Sequence, residues 1–210
     1  SGGHGTGAGP GRPRLKDHRR PGATAREELL DAAAELFTER GYTGTSTRAI
    51  AEAVGIRQAS MYHHFKTEDD ILAELLERTV APSLAKAREL RDRSGAPLAR
   101  LLELARFDLN VLNSQRWNRG ALYLLPEVGA PRFAEFRAGR TALAGIYEQL
   151  AAAALDDDPR DLRRLLPFRL VESVIMMRAD EQRGDLGGFT VVGLGESVIE
   201  AIERLLGDGG

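Results

Sequence analysis

The 210-residue sequence predicts an all-α protein of about nine helices. Three observations lead there. Apolar residues recur at three- and four-residue spacing along most of the chain, the period of a helix with one buried face. Glycine, proline and acidic clusters separate those stretches as turns do. No segment alternates apolar and polar residues convincingly at the two-residue period of a strand.

Residues 1–22 combine Gly, Pro and Arg with almost nothing to bury, so they are expected to form a flexible basic arm carrying Arg12, Arg14, Lys16, Arg19 and Arg20. From Thr24, the residues Leu29, Leu30, Ala33, Leu36 and Phe37 mark a first helix that Gly41 stops. Two short helices follow, Thr47 to Val54 and Gln58 to Phe65, with Gly55-Ile56 leaving room only for a tight turn. Thr67 is placed to cap a longer helix running toward Arg91, with Glu68, Asp69 and Asp70 in the first turn, where the macrodipole favours negative charge, and a bend allowed at Pro82. Helices are expected at 97–116, 119–128, 131–155, 160–183 and 189–206, separated by Gly129-Ala130-Pro131, by Asp156-Asp157-Asp158-Pro159 and by Gly184 through Gly188. The division expected is an arm over 1–22, a three-helix helix-turn-helix domain over 23–68 and a helical effector-binding and dimerisation domain over 69–210.

Composition narrows the chemistry. With no cysteine, the chain has no disulfide framework, thiolate metal site or thiol catalysis. No signal-peptide pattern opens it and no run nears the roughly 18 apolar residues of a membrane span, so a cytoplasmic protein without membrane contact is expected. The net charge of −2 looks unsuited to a polyanion, but it is an average: residues 1–66 carry 10 basic and 7 acidic side chains (+3), and residues 67–210 carry 19 and 24 (−5). The excess of positive charge sits with the helix-turn-helix.

In that motif Ile50, Ala51 and Val54 form the inward face of the first helix, and Met61 and Phe65 that of the second. Arg57, Gln58, Ser60, Tyr62 and His63 are left to face outward. Glutamine bonds adenine bidentately, arginine bonds guanine, and hydroxyls and imidazole reach phosphates or base edges. Lys66 follows where it can neutralise a phosphate.

The stretch from Arg26 to Leu72, LLDAAAELFTERGY leading into TSTRAIAEAVGIRQASMYHHFKTEDDIL, resembles the DNA-binding domain of the tetracycline-repressor (TetR) family of bacterial transcriptional regulators. That resemblance implies a homodimer whose recognition helices enter successive major grooves of a pseudo-palindromic operator. It implies that Ser46, Tyr62, His63 and Lys66 hold the DNA backbone, with Arg57, Gln58, Ala59 and Ser60 nearest the bases. At Arg57 the chain departs from the small capping residue frequent in the family; arginine does not cap, which frees it for a phosphate or a guanine. His64 reads as structural, because its neighbour Phe65 is core by spacing.

The resemblance also implies an effector pocket among the later helices and a dimer interface made by the last two. Phe107, Asn110, Val111, Trp117, Tyr123, Phe133, Met176 and Met177 are the candidate pocket residues, facing a small apolar or aromatic effector. Leu165, Phe168, Val174, Val191, Val198 and Ile202 are the candidate interface residues. A repressor released by its effector is the expected mode of action, with no cofactor.

Rival readings fare worse. A metal site in HHFKTEDD is disfavoured, since adjacent histidines on a helix diverge by about a hundred degrees and the acidic trio is explained by the helix start. An enzyme lacks its signatures: there is no GxSxG, Walker loop, HExxH or dinucleotide fingerprint. An architectural DNA binder that senses nothing is separated by footprinting, since it covers DNA diffusely instead of at one palindromic site.

Overall fold

The computed structural model describes residues 20–207, and among these there are helices and turns but no strand. Eight α-helices run α1 Ala25–Arg40, α2 Thr47–Val54, α3 Gln58–Met61, α4 Glu68–Asp92, α5 Pro97–Ser114, α6 Ala134–Ala154, α7 Leu166–Arg183 and α8 Leu194–Gly207. The all-α class predicted from the sequence is the class observed. Most of the expected arm, residues 1–19 with Arg12, Arg14, Lys16 and Arg19, lies outside the described residues.

Local chemistry sets the helix ends. Thr24 accepts a hydrogen bond from the Glu27 amide while the Glu27 carboxylate accepts from the Thr24 amide, a capping box that starts α1. Gly41 ends it at φ 78°. Thr67 caps α4 at the Asp70 amide, and α4 continues unbroken through Pro82.

Three expectations need correction. The helix expected over 119–128 is two 3-10 turns, Arg119–Leu124 and Pro126–Gly129, and the helix expected from 131 opens with a third, Pro131–Phe133, because Pro126 and Pro131 each supply no backbone N–H and restart the chain. The helix expected from 160 begins with a 3-10 turn, Leu162–Leu165, and becomes α7 only at Leu166. The last helix starts at Leu194 instead of 189, since Gly187, Gly188 and Gly193 all take positive φ.

The core falls into two apolar clusters. One joins α1, α2, the α3 turn and the first half of α4 with Leu122, Val128, Phe133 and Phe136. The other fills the space among α4, α5, α6, α7 and α8. The first therefore does not stop at the boundary expected between residues 68 and 69. The 3-10 segment between α5 and α6 packs against α1 and α4, the helices that carry α2 and α3.

Polar contacts reinforce that junction. The buried Asp31 of α1 accepts a hydrogen bond from the Trp117 indole N–H (3.1 Å) and pairs with Arg20 (3.2 Å). Arg20 also pairs with Glu35 and donates from Nε to the Ala53 carbonyl of α2 (3.1 Å). It is committed to the protein's own carboxylates, which removes it from the set of arm residues expected to reach outward. Arg132 of the 3-10 segment pairs with Asp70 at the start of α4 (3.1 Å).

Candidate nucleic-acid interface and interior cavity

α2 and α3 are held on a platform made by α1 and α4. Ile50, Ala51, Val54, Met61 and Phe65 are all buried. Ser46 caps α2, its Oγ accepting from the Ala49 amide, and that leaves its exposed O–H free to donate. Gly55 turns left-handed (φ 79°, ψ 29°), and the Gly55 and Ile56 amides both donate to the Ala51 carbonyl. Those two bonds close the tight turn that the Gly55-Ile56 spacing requires. As the departure from the family pattern implies, Arg57 makes no side-chain cap to α3.

The regular part of α3 is one turn, and bonds from the His64 and Phe65 amides to the Met61 carbonyl extend it. Its outer surface brings the predicted residues together. Arg57, Ala59, Ser60, Tyr62, His63 and Lys66 are exposed, while Gln58 and His64 are half-buried. The Gln58 amide donates to Thr47 Oγ1 (2.9 Å) and to the Tyr62 hydroxyl (3.2 Å), which fixes the side chain on this face with both N–H groups engaged. Sequence reasoning missed Thr47, which braces Gln58 from α2. It also missed Arg26, whose guanidinium lies 4.1 Å above the Phe65 ring, donates to the His64 carbonyl (2.6 Å) and pairs with Glu74 of α4. One arginine thus ties the end of the α3 turn to α1 and α4.

The body encloses a small cavity between α4 (Thr79, Val80, Ser83), α5 (Asp108, Leu112), Tyr123, α6 (Arg140, Leu143) and α7 (Phe168, Glu172). Its free volume is about 10 Å³, room for roughly one water molecule. Asp108 is buried and accepts hydrogen bonds from Ser83 Oγ (2.8 Å) and the Tyr147 hydroxyl (3.2 Å). Burial pushes its carboxyl up to about 6, against the pull of those two bonds. Arg140 is engaged by Glu172 (Nε to Oε1, 2.8 Å). Burial, with the negative charge of Asp108 beside them, raises the phenols of Tyr123 and Tyr147 well above their ordinary value.

Of the residues expected to line the pocket, only Tyr123 does. Trp117 packs against the N-terminal core and Phe133 is buried within it. Asn110 and Met176 are exposed, and Phe107, Val111 and Met177 are half-buried away from the cavity wall. The interface expectation is corrected too. Val174 and Ile202 have no exposed surface, Val198 is buried, and Phe168 is buried at the cavity wall, so these four serve the chain's own core. A helical period reveals that a face is apolar but not what covers it, and here α5 covers both α7 and α8, which also pack on each other. Leu165 is exposed and Val191 half-buried; among the apolar side chains left outside in this part of the chain are Leu162 and Leu165 in the 3-10 turn, Leu166 and Met176 on α7, and Phe189 and Val192 in the loop before α8.

A helix-turn-helix on a helical body that encloses a polar cavity is the class of protein this geometry defines. The model of the family described as bacterial regulatory proteins, tetR family, matches residues 29–75. The crystal structure of Mycobacterium smegmatis AmtR superposes with a TM-score of 0.81 at 50% identity, covering 91% of this chain and 90% of that one. The HTH-type transcriptional repressor Rv1474c of Mycobacterium tuberculosis is 31% identical over 153 residues, 68% of this chain and 75% of that protein. The HTH-type transcriptional repressor KstR2 of the same organism is 41% identical over 76 residues, which span only 38% of its length. This chain belongs to the tetR family of bacterial regulatory proteins, whose members are transcriptional regulators and not enzymes. Among the described residues no helix is long and apolar enough to cross a membrane.

Proposed function

We propose that the protein is a cytoplasmic transcriptional repressor that binds a pseudo-palindromic operator as a homodimer and is released by a small molecule. The observation that carries this reading is the outer face of the α3 turn, where Arg57, Ser60, Tyr62, His63 and Lys66 stand exposed around a braced Gln58. Its residues have the two kinds of chemistry that operator binding needs: groups for phosphates, and an amide for a base edge. The exposed apolar side chains of α7 and of the loop before α8 supply a surface for the second subunit, in place of the buried residues first expected there.

Release is a matter of linkage. α4 contributes Thr79, Val80 and Ser83 to the cavity and Glu74 to the Arg26 clamp at the end of the α3 turn. A ligand that fits only when α4 has shifted favours dimers whose two α3 turns are wrongly spaced for half-sites about 34–36 Å apart. Selection of bound sequences from a random DNA pool tests the reading: a palindrome with that half-site spacing supports it, and unselective recovery refutes it.

Two substitutions separate base reading from phosphate holding. Gln58→Ala is expected to cost about 1–3 kcal/mol at the selected operator and to relax preference at one base position. Lys66→Ala is expected to weaken all sequences alike and to lower the slope of log affinity against log salt by about one. Fluorescence anisotropy titrations at several salt concentrations measure both effects, and normal operator binding by both variants contradicts the assignment of the α3 face.

A further inference from the structure

We propose that the interior cavity seats the primary ammonium group of a small effector whose apolar chain lies in the adjoining groove. This rests on the reading of the helical body as the effector-sensing part, and it replaces the purely apolar effector expected from the sequence. Three features of the cavity carry it.

The first is charge. Asp108 is buried, the hydrogen-bond donors to it among the described residues are two neutral hydroxyls, and Arg140 at the same cavity wall is taken up by Glu172. Glu172 pairs with both Arg140 and Arg169, so among the described residues Asp108 has no cation bonded to it, and a buried charge without a counter-charge is costly. The second is the supply of acceptors. A carboxylate offers about four lone-pair sites, of which Asp108 uses two. Tyr123 is desolvated at the cavity wall, and its hydroxyl has no hydrogen-bond partner among the described residues. Thr79 spends its O–H on the Leu75 carbonyl and keeps its lone pairs. A group that only donates satisfies such a wall, and a primary ammonium has three donors and no acceptor.

The third feature is shape. About 10 Å³ is the space of one water-sized group, and an –NH₃⁺ head is that size. Tyr123 and Arg140 form the wall shared with a groove of about 290 Å³, where Leu125, Val128 and Phe136 supply an apolar strip beside Thr141 and an Arg137 that is engaged by the Val128 and Ala130 carbonyls. The groove takes a chain of several carbons while the head passes inward. A carboxylate head meets Asp108 instead, and a neutral head leaves Asp108 uncompensated.

Calorimetric titration of the full chain at pH 7.5 with pentylammonium, 1-pentanol and pentanoate tests the proposal without DNA. Pentylammonium is expected to bind at least about tenfold more tightly than the other two, and Asp108→Asn to remove at least about tenfold of that affinity. Tyr123→Phe is expected to weaken it several-fold, which provides a second variant if the first fails to fold. The groups facing Asp108 are Ser83 of α4, Tyr147 and Arg140 of α6, Glu172 of α7 and Tyr123, and burial pushes the Asp108 carboxyl up to about 6. Affinity of the unaltered protein should therefore fall as pH drops through about 6, where a proton competes for the carboxylate. Equal binding of 1-pentanol or pentanoate, no binding of pentylammonium, or unchanged binding by a folded Asp108→Asn protein overturns the proposal. Operator affinity measured with and without pentylammonium reports separately on the regulatory reading. Asp108-dependent binding that leaves DNA affinity unchanged keeps the ammonium site and refutes release by it.

Discussion

Truncating Phe65 to alanine is expected to cost about 3–5 kcal/mol of stability and to abolish operator binding at temperatures where the unaltered protein binds. Phe65 is 3% exposed and packs in the cluster that joins α1, α2 and α4 to the α3 turn. Its ring also carries the Arg26 guanidinium, so truncation loses the packing and loosens the clamp on the His64 carbonyl. Stability of a domain this size is typically about 5–15 kcal/mol, so the loss is a large fraction of it. Urea unfolding followed by circular dichroism measures the cost. Phe65→Leu, which keeps most of the volume, should lose much less. A cost under about 1 kcal/mol for the alanine variant is incompatible with Phe65 anchoring the turn.

Asp108→Asn is expected to act in the opposite direction, raising stability at neutral pH. The folded-state carboxyl lies at about 6 against an ordinary 3.8, so folding favours the protonated form. A raised acid contributes its full stability below the unfolded value and loses it as pH rises through the folded value, which leaves a penalty at pH 7.5. About two units correspond to roughly 3 kcal/mol. Asparagine keeps an acceptor for Ser83 or Tyr147 and carries no charge. Unfolding measured across pH should give a variant more stable by about that amount at pH 7.5, with the advantage roughly halved near pH 5 and gone below about pH 4. An advantage independent of pH contradicts the assignment of the cost to a buried charge.

Much of the helix-turn-helix was legible because its signals are local: Thr24, Ser46 and Thr67 as caps, Gly41 and Gly55 as stops, and Met61 and Phe65 four apart. The 3-10 segment was misread because Pro126, inside the stretch read as a helix over 119–128, was not given the weight of a chain breaker. The cavity was missed for a different reason. Charged residues were assigned to the outside, yet Asp108 stands in register with Leu101, Leu104, Ala105 and Leu112 on the buried face of α5. A carboxylate inside an apolar stripe was visible in the sequence as a buried polar group. The surface left for a partner was not visible there, since α7 and α8 spend their most regular apolar positions on α5 and the shared body core.

The bond from Trp117 to Asp31 gives the protein an optical property. Trp117 is its single tryptophan, so its ultraviolet emission comes from one ring, wedged where the body meets α1. Any movement that parts the two lets water reach the indole and shifts that emission to longer wavelength. The molecule thus carries an unlabelled fluorophore at the joint between α1 and the 3-10 segment of the body.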